Sequence, residues 1–213
     1  MKKYLCALLM ASISLAAFGA TEPVSSAGNR SAGAASSTAN NTALLAQLSA
    51  RSKAIQSLQG QFVQQKHIAV LPVPLSSTGR FAFEQGKGVD WETLTPVRNA
   101  VHLTPKGISF EDDKGQTQNP VAQQAGVEVV AKIFMGVITG ELDSLNNYFS
   151  VAASGSAQAW TLVLTPRSAN LAAYIQTIQL KGSEFTDQLD IAETNGDKTH
   201  IQFSTDKVVR KPE

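Results

Sequence analysis

Three histidines, one cysteine and a scatter of serines and acids are all that this 213-residue chain offers for chemistry, and their spacing does not gather them. His67, His102 and His200 each stand alone in a strand-like segment, with no HxH, HExxH or cysteine partner. Metal ligation needs several such groups converging, so the three read as half-exposed polar residues on strands. No serine lies in GxSxG, and Ser76-Ser77-Thr78-Gly79 reads as turn material. The acid groupings Glu111-Asp112-Asp113 and Asp187 with Asp190 have the residue types of glycoside hydrolysis. Their setting is that of loop and solvent-face charges. No Gly-rich phosphate cradle follows a strand, since Gly86 and Gly88 sit in a turn, and no cofactor motif is present. A hydrolase would require an acidic pair or a Ser–His pair assembled at long range, which no local spacing supports.

The ends narrow the class. Met1-Lys2-Lys3 followed by the nearly uncharged run Tyr4 to Phe18 has the pattern of a secretory signal over residues 1–20, with cleavage after Gly19 or Ala20. The run is short for a bilayer span, which takes about 20 apolar residues; an N-terminal anchor is the alternative. Cys6 lies too early to carry a lipid. With the signal removed no cysteine is left, hence neither a disulfide framework nor a thiol nucleophile. This combination points to the periplasm of a Gram-negative cell. Residues 21–41, TEPVSSAGNRSAGAASSTANN, hold almost no large apolar group and are expected to be a disordered linker, because burial cannot offset their ordering entropy. The remaining 42–213 has the length of one domain with a core of its own. A formal net charge of +1 with no basic stripe argues against nucleic acid as a partner.

The elements follow from periodicity. Asn41 or Thr42 can cap a helix running to Gly60, with Leu44, Leu45, Leu48, Ile55 and Leu58 forming its stripe. Gln61–Ile68 then alternates Phe62, Gln64, Lys66 and Ile68 against Val63, Gln65 and His67, and LPVPL breaks regular pairing with two prolines. GRFAFEQ, GVDWETL, NAVHLTP and GISFEDD read as an antiparallel meander in which Trp91 opposes the water-facing Asp90 and Glu92. The middle changes period. Val127, Val130, Ile133, Phe134, Val137 and Ile138 give a helical insert with a broad apolar face, Gly136 and Gly140 weaken or stop it, and Leu145, Tyr148 and Phe149 continue as a short helix. Strands return at AWTLVLTP, AAYIQTIQLKG, FTDQLDIAETNG and KTHIQFSTDKVV, with Asn195-Gly196 suited to a hairpin turn. The expected fold is α+β: a single, strongly curved antiparallel sheet forming an open, incomplete β-barrel, with helices over its concave face.

With reactive groups sparse, the apolar material becomes the signal. Phe62, Phe81, Phe83, Trp91, Phe110, Trp160 and Phe203, with Leu162 and Leu164, supply one face of the sheet, while Leu44 and Leu48 of the first helix and the insert supply the rest. These residues either fill a closed core among themselves, as in an envelope structural or interaction module, or line a cavity. In the second case an acyl chain replaces the missing packing at about 0.8 kcal/mol per CH₂.

LQGQFVQQK, STGRFAFEQGKGVDWETLTP and WTLVLTPRSANLAAYIQTIQL, in this order and spacing, resemble the periplasmic outer-membrane lipoprotein carriers of the LolA family over about residues 43–210. The resemblance implies a non-enzymatic, monomeric carrier whose open barrel holds the acyl chains of lipoproteins or other lipids. Such carriers receive cargo from an inner-membrane transporter and pass it to an outer-membrane acceptor. It places Phe62, Phe81, Phe83 and Trp91 in the lining, to which the apolar pattern of the strands adds Phe110, Trp160, Leu162 and Leu164. Leu44, Leu48, Val130, Ile133, Phe134, Val137 and Ile138 take the lid role. One position departs from the pattern. Asp90 stands where the family has an arginine that hydrogen-bonds the lid in the empty state, and a carboxylate cannot donate those bonds. The lipid-handling class is therefore better supported than any particular cargo.

Overall fold

A computed structural model describes residues 34–105, 107–118, 136 and 145–212. Eleven strands form one sheet in the order β6-β5-β4-β3-β2-β1-β11-β10-β9-β8-β7, and every neighbouring pair is antiparallel. The strands are β1 (Ile55–His67), β2 (Leu75–Glu84), β3 (Gly88–Thr95), β4 (Asn99–Thr104), β5 (Gly107–Glu111), β6 (Thr117–Gln118), β7 (Phe149–Ser156), β8 (Ala159–Pro166), β9 (Ile175–Gly182), β10 (Thr186–Glu193) and β11 (Lys198–Arg210). The outermost strands β6 and β7 do not pair with each other, so the barrel is open, as the fold class anticipates. Its spine is the long β1–β11 pair, which joins the two ends of the domain; Lys211 N donates to Ala54 O at 2.9 Å.

Helix α1 (Ala34–Lys53) begins inside the Ser/Ala/Gly-rich segment and stops seven residues short of Gly60. The helical stripe expected through Ile55 and Leu58 is corrected here. Ala54 N closes the last turn on Arg51 O, and Ile55 then pairs with Arg210 of β11. Both residues remain buried, but on the sheet, because pairing with the C-terminal strand overrides a periodicity that local spacing alone cannot resolve. Leu44 and Leu48, one turn apart, are buried where α1 packs on β7 and β1. Asn41, expected as a cap, instead accepts the β7 amide of Ala153 at 2.6 Å, covering part of an edge strand. Arg51 in the last helical turn donates to Ala157 O and Ser183 O at 2.9 and 2.8 Å.

The segment FSVAASGS is strand β7, and the short helix expected through Phe149 ends before it, with Tyr148 N closing a turn on Leu145 O. Small residues carry little strand propensity, and pairing with β8 supplies what they lack. A four-residue helix, α2 (Ala169–Ala172), capped by Ser168, joins β8 to β9. A bulge opposite Ala192 and Glu193 lets Ile175 share the buried side with Ile178 and Leu180, whereas strict alternation would place it opposite them. The insert residues Val130, Ile133, Phe134, Val137 and Ile138, Gly140 and the signal segment 1–20 lie outside the described residues.

Candidate functional site

One face of the sheet is apolar and buried, and its centre is built from aromatics laid over glycines. In β1 and β2, Gly60 is the cross-strand partner of Phe81 and Phe62 is the partner of Gly79. A Cβ on Gly60 would meet the Phe81 ring at 2.8 Å, and one on Gly79 would meet the Phe62 ring at 2.4 Å. The rings therefore lie along the backbone instead of standing off it, which a side chain at either glycine would prevent. Trp160 repeats the device over its partner Gly182, 2.3 Å from where a Cβ would stand, and its Nε1 donates to Ser183 O at 2.8 Å.

Phe62 stacks on Trp91 with ring centroids 3.7 Å apart and planes 20° from parallel. Phe203, opposite Phe62 on β11, stands edge-on to both Phe81 and Trp91, at 5.7 and 6.1 Å. The four form one cluster across β11, β1, β2 and β3, with a geometry that adds attraction beyond burial. Sequence reasoning counted Phe203 among the apolar residues of the face but left it out of the lining. Its alternation with Ile201 along β11, both facing inward, was the signal that could have placed it.

The other lining candidates divide. Leu162 and Leu164 on β8 are fully buried against Leu180 and Ile178 of β9, four strands along the sheet from β1 and about 19 Å from it at a spacing of about 4.8 Å. Phe110 on β5 is half-buried opposite Val101. Phe83 is half-buried and lines a cleft of about 650 Å³ at the end of β2 and β3, with Gln56, Gln59, Glu84, Asp90 and Leu103 among its walls. That cleft is mixed in polarity, and the rings of Phe62, Phe81, Trp91 and Phe203 do not line it. All the expected lining residues nonetheless belong to one contiguous apolar cluster that also includes Leu44, Leu48, Leu145 and Phe149.

The opposite face carries the charge. Glu92 accepts from Arg80, its partner on β2, at 2.5 Å and from Arg98 at 2.8 Å; Arg98 reaches Glu111 at 3.1 Å. Glu111 lies 3.8 Å from His102, which hydrogen-bonds Asp90 across β3 and β4 at 2.7 Å. Partial burial opposes ionisation of Glu92, but hydrogen bonds from Arg80 and Arg98 outweigh it and hold the carboxyl below its ordinary 4.5. Asp90 thus points away from Trp91 and from the apolar face. Whatever residue stands at position 90 is carried outward by strand alternation, so the missing arginine is not replaced by a carboxylate aimed inward.

The histidines are not all alone, as their sequence context suggested. His200 Nδ1 lies 2.6 Å from Asp190, as His102 does from Asp90, while His67 is exposed. The acids are also engaged locally: Asp112 accepts from the amides of Lys114 and Gln116 in its own turn, and Asp190 also takes a bond from Gln188. Among the described residues no group of three or more His, Cys, Asp or Glu is arranged to hold a metal.

An open antiparallel sheet, apolar and aromatic on one face and ion-paired on the other, defines an open-barrel β protein. The chain belongs to the family described as outer membrane lipoprotein carrier protein LolA, whose model matches residues 53–213. No curated protein matches the sequence. Among solved structures, it is similar to MucB in the MucA/MucB complex of Pseudomonas aeruginosa, with 16% identity, a TM-score of 0.42 and coverage of 81% of this chain and 59% of that one. It is also similar to a LolA superfamily protein from Nitrosomonas europaea, with 9% identity, a TM-score of 0.42 and coverage of 80% and 95%. A third is an outer membrane lipoprotein-sorting protein domain from Vibrio parahaemolyticus, with 8% identity, a TM-score of 0.40 and coverage of 81% and 93%. The chain spans about three fifths of the MucB chain it resembles.

Proposed function

We propose that this chain is a periplasmic, non-enzymatic carrier that binds the acyl chains of lipoproteins or related lipids on the inner face of its open sheet and ferries them toward the outer membrane. The observation that carries the reading is the Phe62–Phe81–Trp91–Phe203 cluster on the inner face of a sheet of the lipoprotein-carrier family. An acyl chain needs no catalytic group; it needs apolar lining and a cover that yields. Leu44 and Leu48 of α1, which pack on the sheet, take the part of that cover, with the lid role of Val130, Ile133, Phe134, Val137 and Ile138 resting on their apolar sequence pattern alone. The basic-then-apolar segment 1–20 supports export, and donor and acceptor membrane proteins complete the route.

The burial of the face favours a second reading. Phe62, Leu162 and Leu164 are 2%, 1% and 0% exposed, as in an envelope interaction module with a packed core. Native mass spectrometry of the protein purified from the periplasm without detergent separates the two. The carrier reading expects a retained lipid of defined mass, or uptake of one when acylated lipid is added. A bare chain under both conditions supports the packed module.

A further inference from the structure

One corner of the inner face is not apolar. Lys66 on β1 points inward, its side chain 5% exposed, and its Nζ meets Glu193 Oε1 at 2.7 Å. Between them runs β11. Thr199 is the direct partner of Lys66 on one side and of Ile191 on the other, so the ion pair passes over that residue to reach Glu193 two positions further on. Thr199 is 1% exposed, and its Oγ1 has no hydrogen-bond partner among the described residues. Inward-facing neighbours on the same strands are Phe62, Ile201, Leu189 and Ile191, with half-buried Gln64 between Phe62 and Lys66.

The corner holds donors that its own side chains leave unused. An ammonium has three N–H groups, and the one acceptor recorded for Lys66 among the described residues is Glu193. Among the described residues, two of those N–H groups and the Thr199 hydroxyl have no partner, and buried polar groups ordinarily have one. Glu193 neutralises Lys66, and the buried carboxylate of Asp197 nearby, which accepts from Ala69 N and Asn195 Nδ2, makes a further negative charge unwelcome. A complementary ligand group therefore accepts hydrogen bonds and brings no net charge.

We propose that this corner binds the ester or amide carbonyl of an acyl chain, with Lys66 Nζ and Thr199 Oγ1 donating to its oxygen. The hydrocarbon then runs along β1 toward Phe62 and Trp91. The proposal rests on the carrier reading above and adds a substrate class to it. From Lys66 to Phe62 is four residues, about 13 Å at about 3.3 Å per residue, a span that an acyl chain covers. A free fatty acid is disfavoured, because its carboxylate would stand beside that of Glu193.

Displacement of phenylnaphthylamine, a fluorescent apolar probe, from the full chain by methyl dodecanoate, dodecanoate and dodecane tests this. The wild type should bind the ester about tenfold more tightly than the acid or the alkane. Glu193→Gln leaves the ammonium uncompensated and should reverse the order, favouring the acid over the ester. The paired change Lys66→Met with Glu193→Met removes both charges together, which proteins generally tolerate. It should keep alkane affinity while abolishing the preference for the ester, with a thermal melt confirming the fold. Equal affinities for all three ligands in every variant would overturn the corner as a binding site and leave the carrier reading standing. Failure of any ligand to displace the probe from the wild type would overturn both.

Discussion

The two faces of this sheet use charge in opposite ways. On the outer face a chain of contacts from Arg80 through Glu92, Arg98, Glu111 and His102 to Asp90 ties β2 to β5 in reach of water. Each link there is screened, and exposed pairs contribute at most about 1 kcal/mol. On the inner face Lys66 and Glu193 pair where little water reaches, so that desolvation makes the pair costly and removal of one partner costlier still. The outer network tunes stability without specifying a ligand.

The contrast should show first in the aromatic centre. Phe62→Ala removes the ring stacked on Trp91 and laid over Gly79, and should cost about 3–5 kcal/mol in denaturant unfolding while weakening binding of acyl probes. Retained stability would mean that the inner face repacks freely, contrary to the close fit of ring on glycine.

The outer face should respond to acid, and less strongly. Because the folded state holds the Glu92 carboxyl below 4.5, its contribution is fully present above that value and is lost as the pH falls through the lower folded-state value. Glu92→Gln should therefore lower the melting temperature by roughly 2–4 °C at neutral pH, with the difference from wild type vanishing in acid. A difference that grew in acid would reverse the assigned sign. The smallest effect belongs to Asp90, whose side chain is 70% exposed: Asp90→Ala should shift stability by less than about 0.5 kcal/mol and leave acyl-probe affinity unchanged. An altered affinity would bring position 90 back into lid closure.

Much of this arrangement was legible in the residues themselves. Alternation placed Phe62, Phe81 and Trp91 on one side and Asp90 and Glu92 on the other, while Asn195-Gly196 marked its hairpin. What local pattern could not supply was pairing at long range. Ile55 and Leu58 fit a helical stripe until β11 claims them as strand, and FSVAASGS has too little propensity to declare itself without β8 beside it. Phe203 and the Lys66–Glu193 corner are likewise products of β1, β10 and β11 meeting, 127 residues apart in the case of the ion pair. The Asp–His pairs on the outer face arise in the same way, from register rather than from motif.

The most direct test uses the protein's own tryptophans, of which there are two. In a Trp160→Phe variant Trp91 is the sole emitter, and fatty-acyl methyl esters brominated at mid-chain quench only a fluorophore they touch. Saturable quenching of Trp91, absent with unbrominated chains and relieved by competing ester, is the predicted result. Fluorescence unchanged by brominated chains at concentrations where they are taken up would show that hydrocarbon does not reach the stacked aromatic face, contradicting the account.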